Sequence, residues 1–141
     1  MSNMFGAIGI AASGMAAERI RMDVTSDNLA NADSTKGPNG LPYQRQEVVL
    51  QTGGQTFSDA LGNAQQAGVQ ATSIVNDPTP DRQVYDPTNP DANKQGYVTM
   101  PNVNTVTEMT DLITESRSYE ADTQAMSTAK DLYLKTLDVL R

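Results

Sequence analysis

The chain has no cysteine, no histidine and no tryptophan, and only two phenylalanines. The first two absences together remove disulfides, thiolate nucleophiles, imidazole bases and His/Cys zinc sites. Carboxylate, lysine, tyrosine and hydroxyl chemistry remains, and it needs a preorganised pocket. Apolar residues are also scarce, at 38% of 141 residues, below the roughly 45–50% of ordinary globular domains even allowing for glycine in that count. A lone monomer therefore has a thin core, and a second independent domain is not expected. Ten Lys and Arg stand against seventeen Asp and Glu, a formal charge of −7, so the clustered basic surface that nucleic-acid phosphates require is missing. The longest apolar stretch, MFGAIGIAASGMAA from Met4 to Ala17, is too short to span a bilayer. No Lys or Arg precedes it and its periodicity runs on past Ala17, which argues against a cleaved secretory signal.

Periodicity is what the sequence does have. Met1, Ile8, Met15, Met22 and Leu29 recur every seven residues, a heptad-like apolar seam that predicts a helix from about Met4 to Ala30. Ile10, Ala17 and Val24 form a second line on the same helix, so more than one face needs covering. Gly6, Gly9 and Gly14 each weaken the helix by about 0.5–1 kcal/mol. Such a helix is expected to order only when neighbours pack on it. Asn28 and Asn31 near its end are read as left-handed stop residues. Leu112, Tyr119, Met126, Tyr133 and Leu140, joined by Met109 and Leu137, repeat the design at the other end of the chain. That helix follows Pro101, and Thr105 with Glu108 is read as a capping box. Acidic residues crowd its first half, while Lys130, Lys135 and Arg141 occupy its second, as the helix dipole favours.

Between the two helices the composition turns to Gly, Pro, Asn, Asp, Gln and Thr, and no helical period survives. Strands are predicted at Tyr43–Leu50, Val69–Val75, Gln83–Tyr85 and Tyr97–Met100, with exposed loops at Gly62–Gly68 and Asp77–Asn93. Asp91, Asn93, Gln95 and Gly96 match the first half of a calcium loop. The twelfth position, however, is Asn102 where a bidentate Glu is needed, so a plain turn is the expectation. Asp77, Asp81 and Asp86 are read as turn residues bonding to nearby backbone. The predicted fold is mainly α with a small β module. An N-terminal helix (1–32) and a C-terminal helix (101–141) pair as an antiparallel or coiled-coil unit, forming one discontinuous inner domain around an irregular middle (33–100).

Three stretches carry a resemblance: IAASGMAAERIRMDVTSDNLANADST at Ile10–Thr35, PYQRQEVVLQ at Pro42–Gln51, and DPTNPDANKQGYVTMPNVNTVTEMTDLITESRSYEADTQAM at Asp86–Met126. The chain resembles the flagellar rod and hook axial protein family. DNLANA at Asp27–Ala32 is shared broadly there, while GYVTMPNVN followed by SRSYEA is similar to its proximal-rod members. The resemblance implies a non-enzymatic structural subunit of the basal-body rod in the cell envelope, with no cofactor, built by packing of terminal helices into a torque-transmitting shaft. It implies partners in further copies, in FlgB-, FlgF- and FlgG-type rod proteins and in a FliE-type rod adaptor. Delivery would be by the flagellar type III export apparatus, without a cleaved signal. The expected assembly interface is Ile8, Met15, Met22, Leu29, Leu112, Tyr119, Met126, Tyr133 and Leu140, and Met4, Phe5 and Ile8 are the expected export segment. The seams alone also allow an exported helical-hairpin binding protein with a folded monomer.

Overall fold

The computed structural model describes residues 2–37, 39–53 and 68–139. Helix α1 spans Ser2–Ala30, strands β1 and β2 span Gln46–Gly53 and Gly68–Asn76, β3 and β4 span Arg82–Tyr85 and Tyr97–Met100, and helix α2 spans Thr105–Val139. The two helices lie antiparallel: Asn28 meets Glu108, Thr25 meets Glu115, and Met15 meets Thr123. At 1.5 Å per residue they are about 44 and 52 Å long, so the expected helical pair with a small β module is the fold that forms. The β module is two antiparallel hairpins, β1–β2 with an irregularity between Val49 and Leu50, and β3–β4 in unbroken register.

The helix boundaries have local causes that differ from those expected. α1 closes without a left-handed residue, since among the described residues only Gly40 and Gly96 have positive φ. Instead, the Asn31 side chain donates to the Asp27 carbonyl at 2.9 Å, and the Asn31 and Ala32 N–H groups bond back to Asp27 and Leu29. α2 is capped by Asn104, whose Oδ1 accepts from the N–H groups of Val106 and Thr107 at 3.1 and 3.4 Å. The capping-box reading of Thr105 and Glu108 gives way because the Glu108 carboxylate is taken up by Asn28 and Arg45. The Thr residues that intrinsically disfavour helix inside α2 bond to the carbonyl four residues back, as Thr110, Thr114 and Thr123 do.

The core is as thin as the composition implied and consists of small side chains: Ala11, Ala17, Val24, Ala32, Val98 and Val103. The second line of α1 is not left open by pairing within one chain. Ala17 and Val24 are buried and only Ile10 stays exposed. α1 packs against the β1–β2 hairpin as well as against α2. Ser13, on that side of the helix, accepts at Oγ from the Val69 N–H at 3.1 Å. Total accessible surface is 9978 Å² for 15.1 kDa, against roughly 7,100 Å² for a compact monomer of that mass.

Candidate assembly site

The contact between the helices is built on polar residues. Gly14, Arg21 and Asn28 on α1 and Asp122, Glu115 and Glu108 on α2 are both spaced by seven, and they meet in three successive layers. In the first, Asn28 Nδ2 donates to Glu108 Oε2 at 3.0 Å. In the second, Arg21 Nη2 lies 3.4 Å from Glu115 Oε1, which also accepts from Thr25 Oγ1 at 3.2 Å. In the third, the Asp122 carboxylate sits where a Gly14 side chain would begin. Gly14 thus gives up helix propensity to let a carboxylate lie against its backbone. A row of acids facing one amide, one cation and one glycine specifies a single register, because a slip leaves a buried charge opposite the wrong partner.

The first layer opens into a wider junction. Glu108 is 1% exposed, and its other oxygen accepts from Arg45 Nε at 2.6 Å. Arg45, just before β1, also pairs with Glu47 and lies 3.4 Å from Asp77. Burial alone would lower the Arg45 guanidinium, but its hydrogen bonds to Glu108 and Glu47 and their negative charges hold it above its ordinary value. Asn28, also 1% exposed, uses its remaining capacity on the chain around β1: Nδ2 donates to the Gln46 carbonyl, and Oδ1 accepts from Gln46 N–H and Tyr43 Oη, each at 2.9 Å. Burial, with the charges of Asp27 and Glu108 behind it, raises the Tyr43 phenol, so it stays a neutral donor. Asn102 completes the junction: Oδ1 accepts from Arg45 N–H at 2.8 Å, and Nδ2 donates to the carbonyls of Asp77 and Thr79. The end of α1, the start of α2, β1 and the turn before β3 are thereby locked together.

The expected interface residues flank this polar ladder. Ile8, Met15, Met22, Leu29, Leu112, Met126 and Tyr133 are half-buried, and Tyr119 is at the edge of exposure. Met15 reaches α2 through its sulfur, which lies 3.3 Å from Thr123 Oγ1. Leu140 and the side chains of Met4 and Phe5 lie outside the described residues. Met109 and Leu137, which the spacing put on the seam, are exposed instead, and Val106, Met109 and Ile113 form an open apolar stripe at the start of α2, with Val106 at 71%.

The calcium-like pattern is a series of turns. Asp91 accepts from Thr35 Oγ1 at 2.7 Å and pairs with Lys36, and these bonds hold its carboxyl below the usual carboxylate range. Asn93 Oδ1 accepts from the N–H groups of Gln95 and Tyr97. Gly96, at φ 82°, turns the chain beneath the Tyr85 ring, which packs edge-on against Tyr97 with centroids 5.3 Å apart. Asp77 and Asp86 make matching turns, each accepting from the N–H and hydroxyl of the threonine two residues on. Asp81 differs from that reading: its Oδ1 is buried with no hydrogen-bond partner.

Composition and spacing gave Arg45 and Glu115 no role of their own, and marked Asn102 only as the residue that fails a calcium loop. The available signal was the seven-residue repeat of Glu108, Glu115 and Asp122 beside an apolar seam, where a solvated face would be the ordinary reading.

Comparison with known proteins places these elements. Residues 8–38 match the family model "Flagella basal body rod protein", which covers most of α1 and its exit. Residues 94–139 match "Flagellar basal body rod FlgEFG protein C-terminal", which covers β4 and α2. Among curated proteins, the chain is 44% identical to the flagellar basal-body rod protein FlgC of Bacillus subtilis, with 96% of this chain and 97% of that one aligned. It is 44% identical to FlgC of Yersinia enterocolitica over 91% of each chain, and 37% identical to FlgC of Borreliella burgdorferi over 98% of each.

Proposed function

The chain belongs to the FlgC family of flagellar basal-body rod proteins, and on that premise we propose that it is a structural subunit of the proximal rod, a mechanical part and not an enzyme. The observation that carries the reading is the pair of long antiparallel helices around a core of small residues, with apolar side chains left open along both. Such a pair holds its own register through the polar ladder and still offers surface to neighbours. Repeated heterologous contacts of this kind build open helical assemblies, in which helices bearing on helices can pass torque along the axis. The seam from Ile8 to Leu29 and from Leu112 to Leu140 is the proposed bearing surface, shared with further copies, FlgB-, FlgF- and FlgG-type subunits and a FliE-type adaptor. The β hairpins and turns lie to the outside.

Export through the flagellar type III apparatus, using the segment with Met4, Phe5 and Ile8 and no cleaved signal, is part of the same proposal. Asp77, Asp86 and Asp91 are spent on turns and Glu108 on the helical contact, which supports a role without substrate or cofactor. Cells lacking this chain should make basal bodies that stop short of a rod and should not swim, and both defects should be repaired by restoring it. Complete rods in its absence would contradict the reading.

A further inference from the structure

We infer that the Glu115 layer is a loosening element of the subunit, through which the α1–α2 pair opens readily at neutral pH and tightens when that carboxylate is neutralised. The three layers of the ladder are not equally satisfied. Glu108 has a guanidinium and an amide, one on each oxygen. Glu115 is 3% exposed, yet only its Oε1 is engaged, by Thr25 and by Arg21 at 3.4 Å, while Oε2 is buried without a hydrogen-bond partner. Arg21 is shared, since its Nη1 holds both oxygens of Glu18 at 3.0 and 3.1 Å. The charged groups facing Glu115 are Arg21 and Glu18 from α1 and Asp111 one turn back on α2; Arg45, beyond them, pairs with Glu108 and Glu47 and lies 3.9 Å from Asp111, which leaves the shared Arg21 as the cation paired with Glu115.

A buried carboxylate with half its lone pairs unmet penalises the closed state and not the open one, where water solvates it. Burial raises the Glu115 carboxyl, opposed by Thr25 and Arg21 and assisted by Glu18 and Asp111. A raised folded value means that stability is fully present below the unfolded value of about 4.3 and is lost as pH rises through the folded one. A carboxyl raised above its unfolded value takes up its proton before the ordinary carboxylates do, so helix-pair stability should grow as pH falls from 7 toward that unfolded value. The inference concerns the free subunit and stands apart from the rod reading.

The test is amide hydrogen exchange on the full-length monomer at pH 7, with rates corrected for intrinsic pH dependence, for wild type, Glu115→Gln and the exposed-face control Glu120→Gln. Glu115→Gln should slow exchange at least threefold around residues 14–28 and 112–124, with Glu120→Gln unchanged. Lowering the pH from 7 toward the unfolded carboxyl value should slow the same amides in wild type more than in Glu115→Gln. Faster or equal exchange in Glu115→Gln at pH 7, or the same pH response in both proteins, would overturn the inference. Because the pH arm uses the unmutated chain, a folding defect in the variant cannot hide the answer.

Discussion

Replacing Arg45 with Met removes the cation that compensates the Glu108 carboxylate, whose side chain is 1% exposed. Only Asn28 would then face it, a neutral donor at 3.0 Å. Breaking a buried pair from one side costs about 3–5 kcal/mol. Arg45 keeps 18% of its side chain in solvent, which favours the lower end, about 3 kcal/mol. The contacts to Glu47 and Asp77 add at most about 1 kcal/mol each, as exposed pairs do. For a chain of this size, where total stability is about 0.05–0.15 kcal/mol per residue, that loss is a large share. Changing Glu108 to Leu in the same protein should restore most of it, because the orphaned charge is gone and Asn28 Nδ2 still has the Gln46 carbonyl. The assay is urea unfolding followed by tyrosine emission, since Tyr43 sits in the junction and no tryptophan masks it. Midpoints should be compared at constant slope. A loss below about 1 kcal/mol for Arg45→Met, or a double variant as weak as the sum of the singles, would refute the view that this pair holds the junction.

Asn28→Ala removes the groups that make four hydrogen bonds and should cost about 3–4 kcal/mol at roughly 1 kcal/mol each, read by the same unfolding curves. Asn104→Ala should cost about 1 kcal/mol through loss of the α2 cap, whereas Thr105→Ala should change stability by less than about 0.5 kcal/mol. Met15→Asp or Leu29→Asp should abolish swimming while protein levels in the cytosol stay normal, because a charge on a packed seam costs several kcal/mol; equal motility to wild type would remove the seam as an interface. Deleting the residues before Ile10 should hold the chain in the cytosol, scored by its absence from purified basal bodies.

Both long helices and all four strands were legible from period and turn composition, to within a few residues, while the seams left the pairing open between an antiparallel and a coiled-coil unit. Patterning tells which residues avoid water, and on α1 and α2 it found two apolar seams. It could not say that the line between them would be filled by Glu108, Glu115 and Asp122, because an acid at helical spacing ordinarily faces solvent. What reverses that expectation is Arg45, some sixty positions away in sequence, together with Asn28 and Arg21, and pairings at that separation leave no local signal. The end of α1 was misread for a similar reason. Asn28 has the composition of a stop residue, but its amide is spent on β1 and α2, and Asn31 closes the helix instead. Glu108 likewise looked like half of a capping box until its carboxylate was seen to be committed elsewhere.

Electron cryomicroscopy of basal bodies isolated from cells carrying this chain with a compact tag inserted between residues 54 and 67 tests the structural role most directly. The expected result is tag density around the outside of the proximal rod, with paired helices matching α1 and α2 lining its inner wall and side chains of Met15, Met22 and Leu112 against neighbouring subunits. Complete basal bodies carrying no tag, or a tagged rod in which those residues face solvent, would contradict it.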